Sequence, residues 1–206
     1  SSSVLVEIQP SEVLSGRPMP VRMTESFAYH GIVLAVFVLL GYLIHSYRSS
    51  LAIVFKVLAG RLSEGKVFDE QSLFFKKFLI RSRLFCVLLI SGLLIRVGTW
   101  LKIESWLPDS VRQMEDLLCL AVVTMVSAVV IYRWIIMKTV GKIICNESFF
   151  SMLRFTSSIV SAFSCFVLAP FFLIVGLSDS VAIDNVLYVT IILALGLYML
   201  YLTKSY

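Results

Sequence analysis

Charge is scarce in this sequence. Asp, Glu, Lys and Arg make up only 15% of its 206 residues, while 59% are hydrophobic. A water-soluble domain of this size needs a larger polar shell, so water is excluded as the main solvent. Histidine is scarcer still: His30 and His45 are the only two. On a helix they lie about 22 Å apart, too far to share a metal ion, and no third imidazole exists to complete a bis-histidine haem. The four cysteines, Cys86, Cys119, Cys145 and Cys165, show no CxxC spacing. They point to neither a disulfide framework nor a metal centre. The helical H-E-x-x-H of zinc proteases, the Gly-rich loop of phosphate-handling enzymes and an obvious nucleophile–base pair are also lacking. The expectation is therefore a protein that is not an enzyme and carries no cofactor. Nor does any Asp or Glu fall in the middle of an apolar run, which removes the usual proton carriers of pumps and the carboxylate cages of cation transporters.

What the sequence does have is long apolar runs. Uncharged or nearly uncharged stretches extend from Gly31 to Tyr47, Leu84 to Leu101, Leu117 to Met137, Phe149 to Leu177 and Val186 to Leu202. Each is continuously apolar over the length that spans a bilayer as a helix, without the alternation of a barrel strand. The predicted fold is all-α: a polytopic transmembrane bundle of about five spans over residues 30–206, preceded by an extended arm over residues 1–29. That arm holds Gly16-Arg17-Pro18-Met19-Pro20, whose prolines disfavour helix, and a β-prone Val4-Leu5-Val6-Glu7-Ile8.

Orientation follows from the basic residues. Arg48, Lys56, Arg61, Lys66, Lys76, Lys77, Arg81, Arg83, Arg133, Lys138, Lys142, Arg154 and Lys204 fall on one side, against Arg17, Arg22, Lys102 and Arg112 on the other. Basic loops are retained in the cytoplasm, so the N-terminus is expected outside. Residues 48–83 read as a cytoplasmic pair of amphipathic helices. In the first, Leu51, Val54, Phe55, Leu58 and Leu62 share a face, with Lys56 off it. The second begins at Phe68-Asp69-Glu70, carries Phe74, Phe75 and Phe78 beside Lys76 and Lys77, and runs into the second span. Basic residues next to aromatics at helical spacing suit an anionic membrane surface, which makes the lipid bilayer the first partner and nucleic acid not one.

The one ionisable residue well inside a span is Arg96, expected either to snorkel outward or to pair with Glu115 or Asp116. Arg133 and Arg154 read as anchors at the inner ends of their helices. Asn146 reads as an N-cap with Glu147 favourable to the dipole. In the fourth span Ser157, Ser161, Cys165 and Ala169 recur every fourth residue, a small-residue stripe that lets another helix approach closely, inside the chain or in another subunit. Pro170 follows and is expected to kink the helix.

The Gly16-Arg17-Pro18 arm, Phe68-Asp69-Glu70-Gln71 leading to Arg81-Ser82-Arg83, the basic helix end from Tyr132 to Lys142, and Ala169-Pro170 together resemble the domain-of-unknown-function 4271 family of Bacteroidota inner-membrane proteins. The resemblance implies location in a bacterial inner membrane and a sixth span beyond Tyr206, and brings no activity. Two roles are compatible with these features. One is a non-enzymatic subunit binding other integral membrane or periplasmic proteins, for instance in protein export or assembly. The other is a small transporter, channel or lipid-handling protein with a groove beside Pro170 and Arg96 as its head-group contact.

The topology is tested by thiol labelling of intact cells in a background free of native cysteines. A cysteine replacing Ser15 should react with a membrane-impermeant maleimide and one replacing Ser72 should not; the reverse pattern inverts the orientation.

Overall fold

The computed structural model describes residues 23–69, 72–106, 114–144, 146–177 and 183–205. The arm over residues 1–22, with its Gly16-Arg17-Pro18 and β-prone segments, and the Glu70-Gln71 pair lie outside the described residues. Among the described residues the chain is all-α, and five helices are long and apolar enough to cross a membrane. In chain order the helices are α1 (Phe27–Ser46), α2 (Arg48–Leu58), α3 (Glu64–Asp69), α4 (Leu73–Trp100), α5 (Glu115–Ile143), α6 (Glu147–Leu177) and α7 (Ile183–Ser205).

The helix boundaries have local causes. Ser26 takes extended backbone angles and its hydroxyl accepts the Tyr29 amide, so α1 starts four residues before the apolar run does. Across the bundle the Asp116 carboxylate accepts the Ala28 amide at 2.9 Å. An acid from α5 thus sits where the dipole of α1 is positive. At the other end of α2, Gly60 adopts φ 69°. Its amide donates to Val57 O at 3.0 Å and the Arg61 amide to Lys56 O at 2.9 Å. This paired closure stops the helix at Leu58, short of the expected Leu62. The second helix of the amphipathic pair is likewise divided. Phe68 and Asp69 end the short α3, whereas α4 begins at Leu73 with Ser72 as its cap, accepting the Phe75 amide at 3.2 Å. From there α4 is continuous for 28 residues. At about 1.5 Å per residue that is roughly 42 Å, so its first turns project beyond a 30 Å hydrocarbon core.

The central element is α6, which touches every other helix. Its small-residue stripe is used within the chain. Ser157 Oγ lies 2.7 Å from Tyr201 Oη on α7. Cys86 Sγ on α4 lies 3.6 Å from Ser161 O, and Cys165 and Ala169 are buried. Between α4 and α6 there is no room for a side chain at Gly92, where an added Cβ would lie 2.4 Å from Phe172 Cζ. Pro170 lies inside α6, which runs on past it to Leu177.

Two aromatic residues expected at the membrane surface do something else. Phe78 is fully buried, stacking on Phe166 of α6 and on Tyr47. Phe55 remains half exposed but packs edge-on against Phe163, also of α6. The reason is that α2 and α3 fold back on α6 and use their apolar faces there. Phe68 meets Phe155, and Thr156 Oγ1 donates to Glu64 Oε2 at 2.9 Å. Phe74 leans on Tyr47, Leu58 is half-buried, and Lys56, Lys76 and Lys77 stay exposed. Arg81 ties α4 to α1 by donating to both Tyr42 and Tyr47 hydroxyls while lying over their rings.

Because Phe172 is buried on all sides, it cannot swing away from a methyl group at Gly92. Gly92→Ala should lower stability in detergent by about 1–3 kcal/mol, and Phe172→Leu in the same chain should recover part of the loss. An unchanged thermal midpoint for Gly92→Ala would mean the two helices are not held this closely.

Candidate functional site

Two of the membrane helices are poorly covered. Only Cys119 and Gly141 are buried in α5. Both α5 and α7 pack on α6, but they make no substantial contact with each other. The gap between them is a cleft of about 760 Å³, with α4 and α6 as its floor. Its long walls are apolar, for example Leu94 on α4, Met125 and Val126 on α5, and Ile191 and Leu195 on α7. A volume within the roughly 300–1,000 Å³ range of ligand sites, with apolar walls and a few convergent polar groups, is the usual form of a binding cavity.

The polar groups converge at one end. Arg83 from α4, Arg133 from α5 and Arg154 from α6 all line the cleft there. Two chains of contacts meet on a single turn of α6. In the first, Arg83 Nη2 donates to Ser158 Oγ at 2.7 Å, and that hydroxyl donates to the Arg154 carbonyl at 2.7 Å. In the second, the Arg133 guanidinium lies 4.7 Å from the centre of the Tyr201 ring, whose hydroxyl meets Ser157. The stacking of Arg133 on Tyr201 bridges α5 to α7 at this end.

No Asp or Glu lines the cleft, and among the described residues none of the three guanidinium groups forms an ion pair. Arg83 and Arg154 are near enough to repel each other. Three positive groups at the head of an apolar cleft, held by neutral hydroxyls and a ring, leave their charge uncompensated. Deeper in the cleft the hydroxyls are satisfied within their own helices: Ser164 donates to Val160 O and Thr190 to Val186 O. The interior therefore has no unmet demand for a polar guest, whereas the basic end does.

Beside that end is a smaller cavity of about 380 Å³ between the last turns of α5 and the first turns of α6. It shares Met137 and Arg154 with the cleft and adds Lys138, Lys142, Ser148, Ser151 and one carboxylate, Glu147. Lys138 stacks over Trp134 at 5.0 Å.

The residues singled out from sequence fall in and around this site unevenly. Ser157, Ser161 and Cys165 line the cleft, while Ala169 is buried behind it. Pro170 does not line it, and neither does Arg96. Among the described residues no ion pair joins Arg96 to Glu115 or Asp116; the Asp116 carboxylate is taken by the α1 amide. The arginines that line the cleft are Arg83, Arg133 and Arg154. Asn146 caps α6 as expected, its Oδ1 accepting the Phe149 amide at 3.3 Å. His30 Nδ1 lies 2.9 Å from the Ser26 carbonyl, and among the described residues no group of three His, Cys, Asp or Glu is placed to hold a metal. No family model, curated protein or solved structure matches the chain.

The cap is testable without knowledge of a ligand. Asn146→Ala should cost about 1 kcal/mol of stability, and Asn146→Asp should retain it because Asp caps as well. Equal midpoints for all three proteins would mean that Asn146 has no capping role.

Proposed function

We propose that this chain is a non-enzymatic, lipid-binding membrane protein whose lateral cleft holds an anionic phospholipid from the cytoplasmic leaflet. One observation carries the reading: three arginines without a carboxylate partner stand at the head of an apolar cleft that opens between α5 and α7. A phosphate supplies the charge these groups lack, through charge-assisted hydrogen bonds that match the guanidinium fork. The acyl chains supply an apolar filling for the walls. Basic pockets between membrane helices on the cytoplasmic side bind phosphate head groups for the same reason. The site also fits the orientation expected from the basic residues, because Arg83, Arg133 and Arg154 all belong to the cytoplasmic set.

A second reading, a subunit that docks other membrane proteins, is favoured by the lipid-exposed surface of α5. Tyr132, Ile135 and Ile136 on it are all exposed. The two readings separate on purification. Native mass spectrometry of the detergent-purified protein should find phosphatidylglycerol retained over phosphatidylcholine. Each basic residue near a membrane surface contributes about 1 kcal/mol, so the Arg83→Gln/Arg133→Gln protein should lose affinity for phosphatidylglycerol by roughly thirty-fold. Equal retention of both lipids, or an unchanged affinity in the double variant, would overturn the lipid reading. A stoichiometric protein companion with no retained lipid would favour the docking reading instead.

A further inference from the structure

Two of the arginines that line the cleft are held by different chemistry. Arg83 is held through its edge, where Nη2 donates to Ser158 Oγ at 2.7 Å. Arg133 is held through its face, with Cζ over the Tyr201 ring at 4.7 Å from its centre. All five N–H donors of a guanidinium lie around its edge and none on its faces. A ring against the face therefore fixes where the group points without competing with a phosphate for its donors.

The ring is itself fixed by two contacts. Its hydroxyl oxygen lies 2.7 Å from Ser157 Oγ on α6. Tyr198, one turn earlier on α7, stacks alongside it with ring centres 6.3 Å apart and planes 18° from parallel. Ser157, Tyr198, Tyr201 and Arg133 all line the cleft, and the arginine and its ring are both half-buried, so water competes less for the pair than it would at an open surface. A chain of contacts thus runs from α6 through α7 to the guanidinium of α5, across the basic end of the cleft. An arginine gripping a phosphate loses the rotamer freedom of a long side chain, and a ring that has already settled its place removes part of that cost from binding.

Resting on the lipid-binding reading, we infer that Tyr201 is a specificity-determining residue of the cleft, holding the Arg133 guanidinium in place for the phosphate of an anionic lipid. It is a positioning residue that acts through Arg133. With Arg133 over it, that face of the ring is also closed to a choline ammonium, the other head-group cation that an aromatic ring attracts. Both effects favour an anionic head over a choline head.

The test uses the full chain in detergent, with phosphatidylglycerol and phosphatidylcholine of identical acyl chains as probes and the ratio of their affinities as the readout. Tyr201→Leu should lower the preference for phosphatidylglycerol about fivefold, the contribution of one basic residue near a membrane surface. Tyr201→Phe keeps the ring and should stay within about twofold of the native ratio. In an Arg133→Gln background, Tyr201→Leu should change the ratio by less than about twofold, because the two residues act as one unit. Thermal unfolding checks that each variant is folded, with Tyr201→Met replacing Tyr201→Leu if the latter is not. An unchanged ratio in Tyr201→Leu, an equal fall in Tyr201→Phe, or an undiminished effect in the Arg133→Gln background would overturn the role of the ring and leave the lipid-binding reading standing. A native chain with no preference for phosphatidylglycerol would overturn both.

Discussion

The close approach of α4 to α6 governs the rest of this structure. Without a hydrophobic driving force between helices in lipid, association depends on how near two backbones can come and on what polar contacts they make. Here Gly92 admits the Phe172 ring, and Cys86 reaches the Ser161 carbonyl. With one flank of α6 committed to α4, α5 and α7 take up positions around it with little contact between them besides Arg133 on Tyr201. The same approach sets Arg83 next to Arg154 through the shared Ser158 hydroxyl. Architecture and site are consequences of one packing decision.

That arrangement is costly to leave unmatched. A guanidinium at the edge of hydrocarbon retains its charge, and a serine hydroxyl or a tyrosine ring offsets only part of the lost hydration. Elsewhere in the bundle several polar groups have partners across helices: Asp116 on the Ala28 amide, Arg81 on two tyrosines, Glu64 on Thr156. What sets Arg83, Arg133 and Arg154 apart is that all three line one apolar cleft, and the proposed anion site rests on that convergence. The proposed function follows from that convergence, and the apolar walls of the cleft are why the proposed anion carries a hydrophobic tail.

Much of the fold was legible in the sequence because its cause is local. Apolar runs of spanning length, the Asn146 cap and the Ser157–Ala169 stripe each depend on residues close together in the chain. The misreadings involve distant partners. Phe78 beside Lys76 and Lys77 has the composition of an interfacial helix, yet α1 and α6 supply buried neighbours that no local pattern reveals. Gly60 could have marked the end of α2, since a glycine after an amphipathic run is a common stop. The arginine cluster was hidden because its members sit on three helices, each individually an ordinary anchor near a helix end. Arg96 drew attention by its depth in a span, but depth is a property of one helix, whereas a site is a property of several.

The most direct measurement is a cryo-EM structure of the chain in a nanodisc of defined anionic and zwitterionic lipids. The account predicts elongated density between α5 and α7, with a phosphate within hydrogen-bonding distance of Arg83, Arg133 or Arg154. A cleft closed by contact of α5 with α7, or filled by a helix of another chain whose carboxylate pairs with Arg83, would contradict it.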